Sequence, residues 1–109
     1  MAAADAWLEL IDAGKYQESW GESADLFQKA LDKAGWGKQL SAARAPLGEV
    51  VSRTVKSTQY STSLPGAPDG EYVLIQYDTS FDRKKSAVET VTPMKQTDGT
   101  WRVSGYYIK

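Results

Sequence analysis

Three charged residues fall where the sequence pattern places core side chains. Glu89 has the strand parity of Val91, Arg53 has that of Val55, and Arg44 lies near the end of a helical segment. A lone buried charge costs several kcal/mol, so an inward carboxylate and an inward guanidinium are expected to pair. We therefore predict that Glu89 forms an ion pair with Arg53 or Arg44.

Two interpretations of this pair remain open. In the first and favoured one, it is a structural network inside the core. In the second, an arginine at the mouth of a pocket binds an anionic ligand through two parallel hydrogen bonds. The candidate ligand-binding residues are then Arg53, Glu89 and Trp36. We predict no catalytic residue, no metal site and no cofactor.

The composition excludes several classes of enzyme. The chain of 109 residues has no histidine and no cysteine, which rules out a Ser-His-Asp triad, an HExxH zinc motif and any disulfide. Thirteen basic and fourteen acidic residues give a net charge of -1, without the basic excess of a nucleic-acid-binding domain. No apolar run approaches the roughly 20 residues that span a membrane.

The residue types left for acid–base catalysis are an aspartate and several tyrosines. Isomerases with cone-shaped folds use a pocket aspartate as base beside hydroxyl donors, and here the available types are Asp78 with Tyr72, Tyr77 and Tyr106. Asp78 has the opposite parity to Tyr77, so we expect it to face solvent or the second face of the sheet. This orientation weakens the interpretation as an enzyme.

The four tryptophans also allow two interpretations. Trp7, Trp20 and Trp36 fall on apolar helix faces, and Trp101 falls on the apolar face of the last strand. They could line a pocket for a sugar, a steroid-like molecule or an aromatic ligand. We favour the simpler prediction that they fill the space between helices and sheet, since aromatic side chains dominate small cores.

Two surface features are candidate contact sites. The basic tip at residues 83–85 is most simply a solvated hairpin end. The second sheet face is predicted to be either a solvated face or a partner surface through which two copies dimerise. Its predicted members are Tyr72, Leu74, Gln76, Arg102, Ser104, Tyr106 and Ile108.

The elements that position these residues follow from periodicity. Helical spacing predicts helices over residues 3–13, 16–31 and from Asp32 to about residue 47, with Gly14 ending the first. A break at residues 21–23 would make Ser23 a helix N-cap, and Asp32 is a second N-cap candidate. Strands are predicted over residues 49–64, 71–81, 86–96 and 100–109, with a two-residue hairpin at Asp98 and Gly99.

Helices followed by a four-strand meander predict an α+β fold. We expect a single domain over residues 1–109, with a helical half at 1–47 packed on a curved, mostly antiparallel four-stranded sheet at 48–109. The result is a half-open cone, and its mouth is where a pocket could lie.

Several spaced motifs resemble those of one bacterial family. They are the segments 7–16 and 18–20, the segment 44–48 followed by Arg53, and the segment 98–106. Together they resemble the family known as domain of unknown function 4019 (DUF4019). The resemblance implies a cystatin-like or nuclear-transport-factor-2-like cone and no transferable activity. It also implies a periplasmic or exported domain, although this chain shows no signal segment and a cytoplasmic location stays open.

We therefore expect an exported, non-catalytic binding or protein-interaction module, with an unknown small molecule or protein as partner. It has no membrane span and no nucleic-acid partner, and a homodimer through the sheet face is possible. The alternative is a small-ligand pocket with isomerase-like, dehydratase-like or other weak enzymatic activity. An enclosed cavity with a polar group would favour the alternative, and a filled cone would favour the interaction module.

Overall fold

A computed structural model describes all 109 residues of the chain. Four helices come first and a four-stranded sheet follows, which confirms the α+β fold class. The helices are α1 (Ala2–Asp12), α2 (Tyr16–Gly21), α3 (Asp25–Ala30) and α4 (Lys33–Arg44), followed by a 3₁₀ turn at Ala45–Leu47. The strands are β1 (Val50–Ser61), β2 (Tyr72–Phe81), β3 (Lys84–Lys95) and β4 (Trp101–Ile108). No helix is both long and apolar enough to cross a membrane.

The local signals at the helix ends are mostly confirmed. Gly14 follows α1 with a φ of 76°, a conformation that favours glycine. Asp32 caps α4 by accepting a hydrogen bond from the Gly35 backbone N–H at 2.6 Å. The break between α2 and α3 is also present, but the prediction for Ser23 is wrong. Its hydroxyl accepts from Trp7 Nε1 at 3.0 Å instead of capping α3.

The sheet is an antiparallel meander in the order β1-β2-β3-β4. Alternation along β2 is as predicted: Ile75, Tyr77 and Phe81 are buried beneath the helices, and Asp78 is exposed. The hairpin predicted at Asp98 and Gly99 is present, but the prediction of a two-residue loop is wrong. The Gln96 N–H donates to the Thr100 carbonyl at 2.7 Å, so these strands are joined by a longer loop.

A β-bulge changes which face of the sheet the end of β4 presents. Thr92 pairs with Gly105 while the next residue of β3, Pro93, pairs with Val103, so Ser104 is the extra residue. Its hydroxyl donates to the Thr92 carbonyl at 2.9 Å. A one-residue slip turns every later side chain to the opposite face.

Two predicted members of the second sheet face therefore lie on the inner face instead, and a third keeps its predicted face but is buried. Tyr106 and Ile108 pair with Val91 and Glu89, which belong to the inner face, so both side chains lie on that face and are partly buried. Tyr72 does lie on the second face but is 1% exposed, with its hydroxyl donating to the Pro68 carbonyl at 2.6 Å. The predicted partner surface is thus less aromatic than its sequence indicates.

The tryptophans closest to the centre fill the core, as predicted. Trp7 and Trp36 are 2% and 6% exposed, and their ring centroids are 6.0 Å apart. Phe27 meets Trp36 edge to face at 4.8 Å. Both indole N–H groups are satisfied within the core: Trp7 donates to the Ser19 carbonyl and Trp36 donates to the Ser19 hydroxyl. Trp20 and Trp101 are half-buried at its margin.

The turn after α1 gives a direct test of its backbone conformation. At Gly14 a Cβ would meet no atom within 4 Å, so only the positive φ opposes a side chain. We expect Gly14→Ala to lower the free energy of unfolding by about 1–2 kcal/mol in urea denaturation. Gly21→Ala is the matched control, because Gly21 also has open space but ends α2 with an ordinary φ. Equal losses in both variants would contradict this account.

Candidate functional site

The carboxylate of Glu89 is the centre of a buried polar cluster. Glu89 is 0% exposed in the middle of β3. Its Oε1 accepts from Arg53 Nε at 2.7 Å and from Thr79 Oγ1 at 2.6 Å. Its Oε2 accepts from Arg53 Nη2 at 3.1 Å and from the Tyr106 hydroxyl. The predicted ion pair between Glu89 and Arg53 is therefore confirmed.

Strand register explains why these donors meet at one carboxylate. Arg53 on β1 lies directly opposite Thr79 on β2, and both side chains point to the inner face. The next strand brings Glu89 beside them, and β4 brings Tyr106 from the other side. The three strands other than β3 thus supply every donor, and the ladder hydrogen bonds fix their separation.

Asp12 forms a second layer of the cluster at the end of α1. Its Oδ2 accepts from Arg53 Nη1 at 2.7 Å, and its Oδ1 accepts from Arg53 Nη2 at 3.0 Å and from Arg44 Nη2 at 3.1 Å. A carboxylate at a helix C-terminus is opposed by the helix dipole. Two guanidinium groups compensate for it here. The second arginine therefore binds Asp12 and not Glu89, and sequence reasoning missed Asp12 altogether.

Arg44 is packed between polar and aromatic neighbours. Its side chain is 5% exposed, and only Nη2 has a hydrogen-bond partner; Nε and Nη1 are buried without one. The guanidinium carbon lies 5.0 Å from the centroid of the Phe81 ring. A cation–π contact in a desolvated site offsets part of the cost of the unpaired donors.

The environment fixes the protonation states of Arg53, Tyr106 and the neighbouring Tyr77. Burial by itself lowers the pKa of Arg53, but its hydrogen bonds to Asp12 and Glu89 raise the pKa by more, so it stays charged. Burial, followed by the nearby charge of Glu89, raises the pKa of Tyr106 well above its ordinary value. Burial raises the pKa of Tyr77 to about 12. Both phenols are therefore neutral at neutral pH.

This arrangement limits the chemistry that the cluster can perform. An ionised carboxylate offers about four acceptor positions, and Glu89 receives four hydrogen bonds while being closed to solvent. A general base needs a free lone pair facing its substrate, and Glu89 has none to offer. No three acidic side chains lie close enough together to hold a metal ion.

An open apolar groove lies beside the cluster, between α4 and the end of β4. We call it the α4–β4 groove; its volume is about 460 Å³. Its apolar lining residues are Trp36, Leu40, Ala43, Leu47, Tyr106, Tyr107 and Ile108. Lys84 and Lys109 also line it, and no acidic side chain does. Neither lysine takes part in an ion pair of the protein.

The three residues predicted as ligand-binding are Trp36, Glu89 and Arg53, and all three lie at or next to this groove. Trp36 forms part of the groove wall. Glu89 and Arg53 lie behind it, and they meet the groove through Tyr106, whose ring lines the groove while its hydroxyl binds Glu89. A second groove of about 590 Å³, at the start of β4, has a mixed lining that includes Trp101 with charged side chains.

These features define a small α+β domain with a sealed charged cluster and an apolar surface groove. The chain matches the model of the family described as "Protein of unknown function (DUF4019)" over residues 3–106. It therefore belongs to that family, as its motifs predicted. No curated protein is significantly similar to the chain.

The buried pair predicts a large loss of stability when its charge is removed. We expect Glu89→Gln to lower the free energy of unfolding by about 3–5 kcal/mol, because it leaves the guanidinium of Arg53 without its buried partner. Glu71→Gln is the control, since Glu71 pairs with Lys95 at the surface, where both side chains are 43% exposed; its expected cost is about 0–1 kcal/mol. Urea denaturation measures both, and similar losses would contradict the burial of Glu89.

The raised pKa of Tyr106 predicts a loss of stability at alkaline pH. Above the ordinary tyrosine pKa of about 10, the unfolded chain loses the phenolic proton while the folded chain keeps it, so stability falls as pH rises. We expect Tyr106→Phe to lose less stability than the wild type between about pH 9 and pH 11. Tyr107→Phe, which removes the hydroxyl of a neighbouring side chain that is 58% exposed, is the control for loss of a phenol as such. Parallel pH profiles for wild type and Tyr106→Phe would refute this linkage.

Proposed function

We propose that this protein is a non-catalytic binding module whose ligand occupies the α4–β4 groove. The observation that carries the proposal is the groove itself: an open, mainly apolar surface with two unpaired lysines and no acid. Binding sites for apolar ligands combine such walls with a few polar groups that fix orientation. A ligand with an apolar body and a negative group fits this lining.

The three candidate residues take different parts in this proposal. Trp36 contacts the ligand directly through the groove wall. Arg53 and Glu89 act as positioning residues, since Glu89 holds the Tyr106 hydroxyl and Arg53 holds Glu89. The charged cluster thereby keeps one wall of the groove rigid, and a rigid wall lowers the entropic cost of binding.

The absence of catalysis is proposed from the accessibility of the ionisable groups. The isomerase-like or dehydratase-like alternative needs a base that faces a substrate. Asp78 is exposed on the opposite face of the sheet, and Glu89 has its acceptor positions filled. Neither carboxylate lines the α4–β4 groove.

We also propose that the module works outside the cytoplasm. The support is the resemblance to a family whose members often carry secretion signals. Without cysteine, the fold does not depend on a disulfide in any compartment. Fractionation of cells that carry the complete natural gene tests this part: recovery in the periplasm or medium supports export, and recovery only with cytoplasmic markers rejects it.

The binding proposal is tested with an apolar anionic probe, anilinonaphthalene sulfonate, and amide chemical shifts measured by NMR. We expect the shifts on titration to cluster at α4 and the end of β4. Ala43→Glu places a charge in the groove and should weaken binding by about tenfold or more, because the apolar ring must then lie against a carboxylate. Ala42→Glu is the matched control, since Ala42 is an exposed neighbour on the same helix that does not line this groove.

Shifts scattered over the surface, or equal loss of binding in the two variants, would overturn the assignment of the groove. A folded-state spectrum and an unchanged melting temperature in both variants exclude unfolding as the cause of any loss.

A further inference from the structure

We propose that the α4–β4 groove binds an extended peptide segment that adds as a fifth strand to the open edge of β4. Its side chains would be apolar at alternate positions, with an acidic residue next to them. This inference rests on the proposed function, because it names the class of ligand for the same groove. The backbone of β4, the side chains of α4 and the two lysines each contribute to the argument.

The backbone of β4 has unused hydrogen-bonding groups along the groove. Val88 and Lys109 exchange two hydrogen bonds, of 3.1 Å and 2.9 Å, at the end of the β3–β4 ladder. Bonded and non-bonded pairs alternate along an antiparallel ladder, so Tyr106 and Ile108 are non-bonded with respect to β3. Their backbone N–H and C=O groups therefore point away from the sheet, toward the open edge.

The first half of this edge of β4 is already paired with another segment of the same chain. Ser23 forms a parallel bridge with Val103, and the Ala24 N–H donates to the Val103 carbonyl at 2.8 Å. This internal segment ends at α3, so it covers only the part of β4 before the bulge at Ser104. A peptide over the second half would continue a mode of pairing that the fold already uses.

The geometry of β-strand addition fixes the expected side-chain pattern. Tyr106 and Ile108 are about 7 Å apart along the strand and together offer four backbone groups. Peptide residues directly opposite them would point to the inner face, where Trp36 and Leu40 line the groove. The intervening residue would lie opposite Tyr107 on the outer face. Main-chain hydrogen bonds then supply affinity, and the groove selects apolar side chains at every second position.

The charges at one end of the groove select an acidic neighbour. Lys109 follows Ile108, and Lys84 lies on the part of β3 that extends beyond the end of β4. Both lysines line the groove, with no acidic side chain among the lining residues. A carboxylate beyond the apolar pair would therefore meet two cations, and complementary charge favours encounter and fixes register.

The other edge of the sheet is less suited to such pairing. β1 has register irregularities between Val50 and Ser52 and between Val55 and Ser57, which interrupt a continuous ladder. Lys56 falls within the second irregularity. Bulges and lysines on an edge strand are recognised barriers to pairing with another chain. The bulge of β4 lies before Tyr106, so the ladder of its last residues with β3 is regular.

The test uses a synthetic hexapeptide, acetylated and amidated at its ends, in which two glutamates precede alternating valine and threonine. A second peptide has the reversed sequence, so that antiparallel and parallel addition to β4 are both tested. Amide hydrogen exchange is followed by NMR on the whole chain. We expect at least one of the two peptides to slow exchange of the Tyr106 and Ile108 amides by about tenfold or more, because those N–H groups gain acceptors. The Tyr107 amide, which is bonded to β3 by the same alternation, is the internal reference and should not change.

Matched peptides separate backbone pairing from charge. Methylation of the valine nitrogens in the antiparallel peptide, or of the threonine nitrogens in the parallel one, removes the donors that face β4 and should abolish the protection. Lysine in place of glutamate should weaken binding, and the difference should shrink at high salt because exposed charges are screened. In the protein, Ala43→Glu should abolish protection and Ala42→Glu should leave it intact.

The outcomes distinguish the two proposals. If anilinonaphthalene sulfonate binds in the groove but neither peptide protects Tyr106 and Ile108, peptide addition is wrong and the proposed function stands. If neither probe binds there, both proposals are wrong. If protection rises with protein concentration without any peptide, the occupant is a second copy of the chain, and the peptide proposal is overturned.

Discussion

The fold depends on neutralising one carboxylate that no water reaches. Glu89 sits in the middle of β3 with 0% exposure, where an unpaired charge would cost more than most side-chain contacts can return. Its donors come from the other three strands, since Arg53 lies on β1, Thr79 on β2 and Tyr106 on β4. Correct registration of the whole sheet is thus a condition for satisfying this single group.

The same requirement links the helical half to the sheet. Arg53 uses its remaining donors on Asp12 at the end of α1, and Asp12 in turn holds Arg44 at the end of α4. The charges of the two arginines and two carboxylates balance, so the cluster has no net charge to attract an ion. Its effect is to fix where the ends of α1 and α4 meet the inner face, and α4 forms one wall of the α4–β4 groove.

Sequence reasoning predicted those contacts that follow from strand alternation and from the sign of each charge. Alternation placed Arg53 and Glu89 on the inner face, and charge made them partners. It could not find the bulge at Ser104, because an inserted residue depends on how β3 and β4 register, and so Tyr106 was assigned to the wrong face. Asp12 was missed for a similar reason: its partners are 32 and 41 residues away, and no local pattern signals that distance.

Tyr106, which the sequence places on the wrong face, contacts both the buried cluster and the surface groove. Because the bulge turns Tyr106 inward, its hydroxyl completes the shell of donors around Glu89 while its ring lines the groove. The same slip places the backbone groups of Tyr106 and Ile108 on the free edge in a regular stretch of strand. A single inserted residue therefore completes the burial of a charge and shapes the edge at which we propose that a peptide binds. A bulge that is kept because it completes the burial of Glu89 would also provide the free edge of β4 at no further cost in stability.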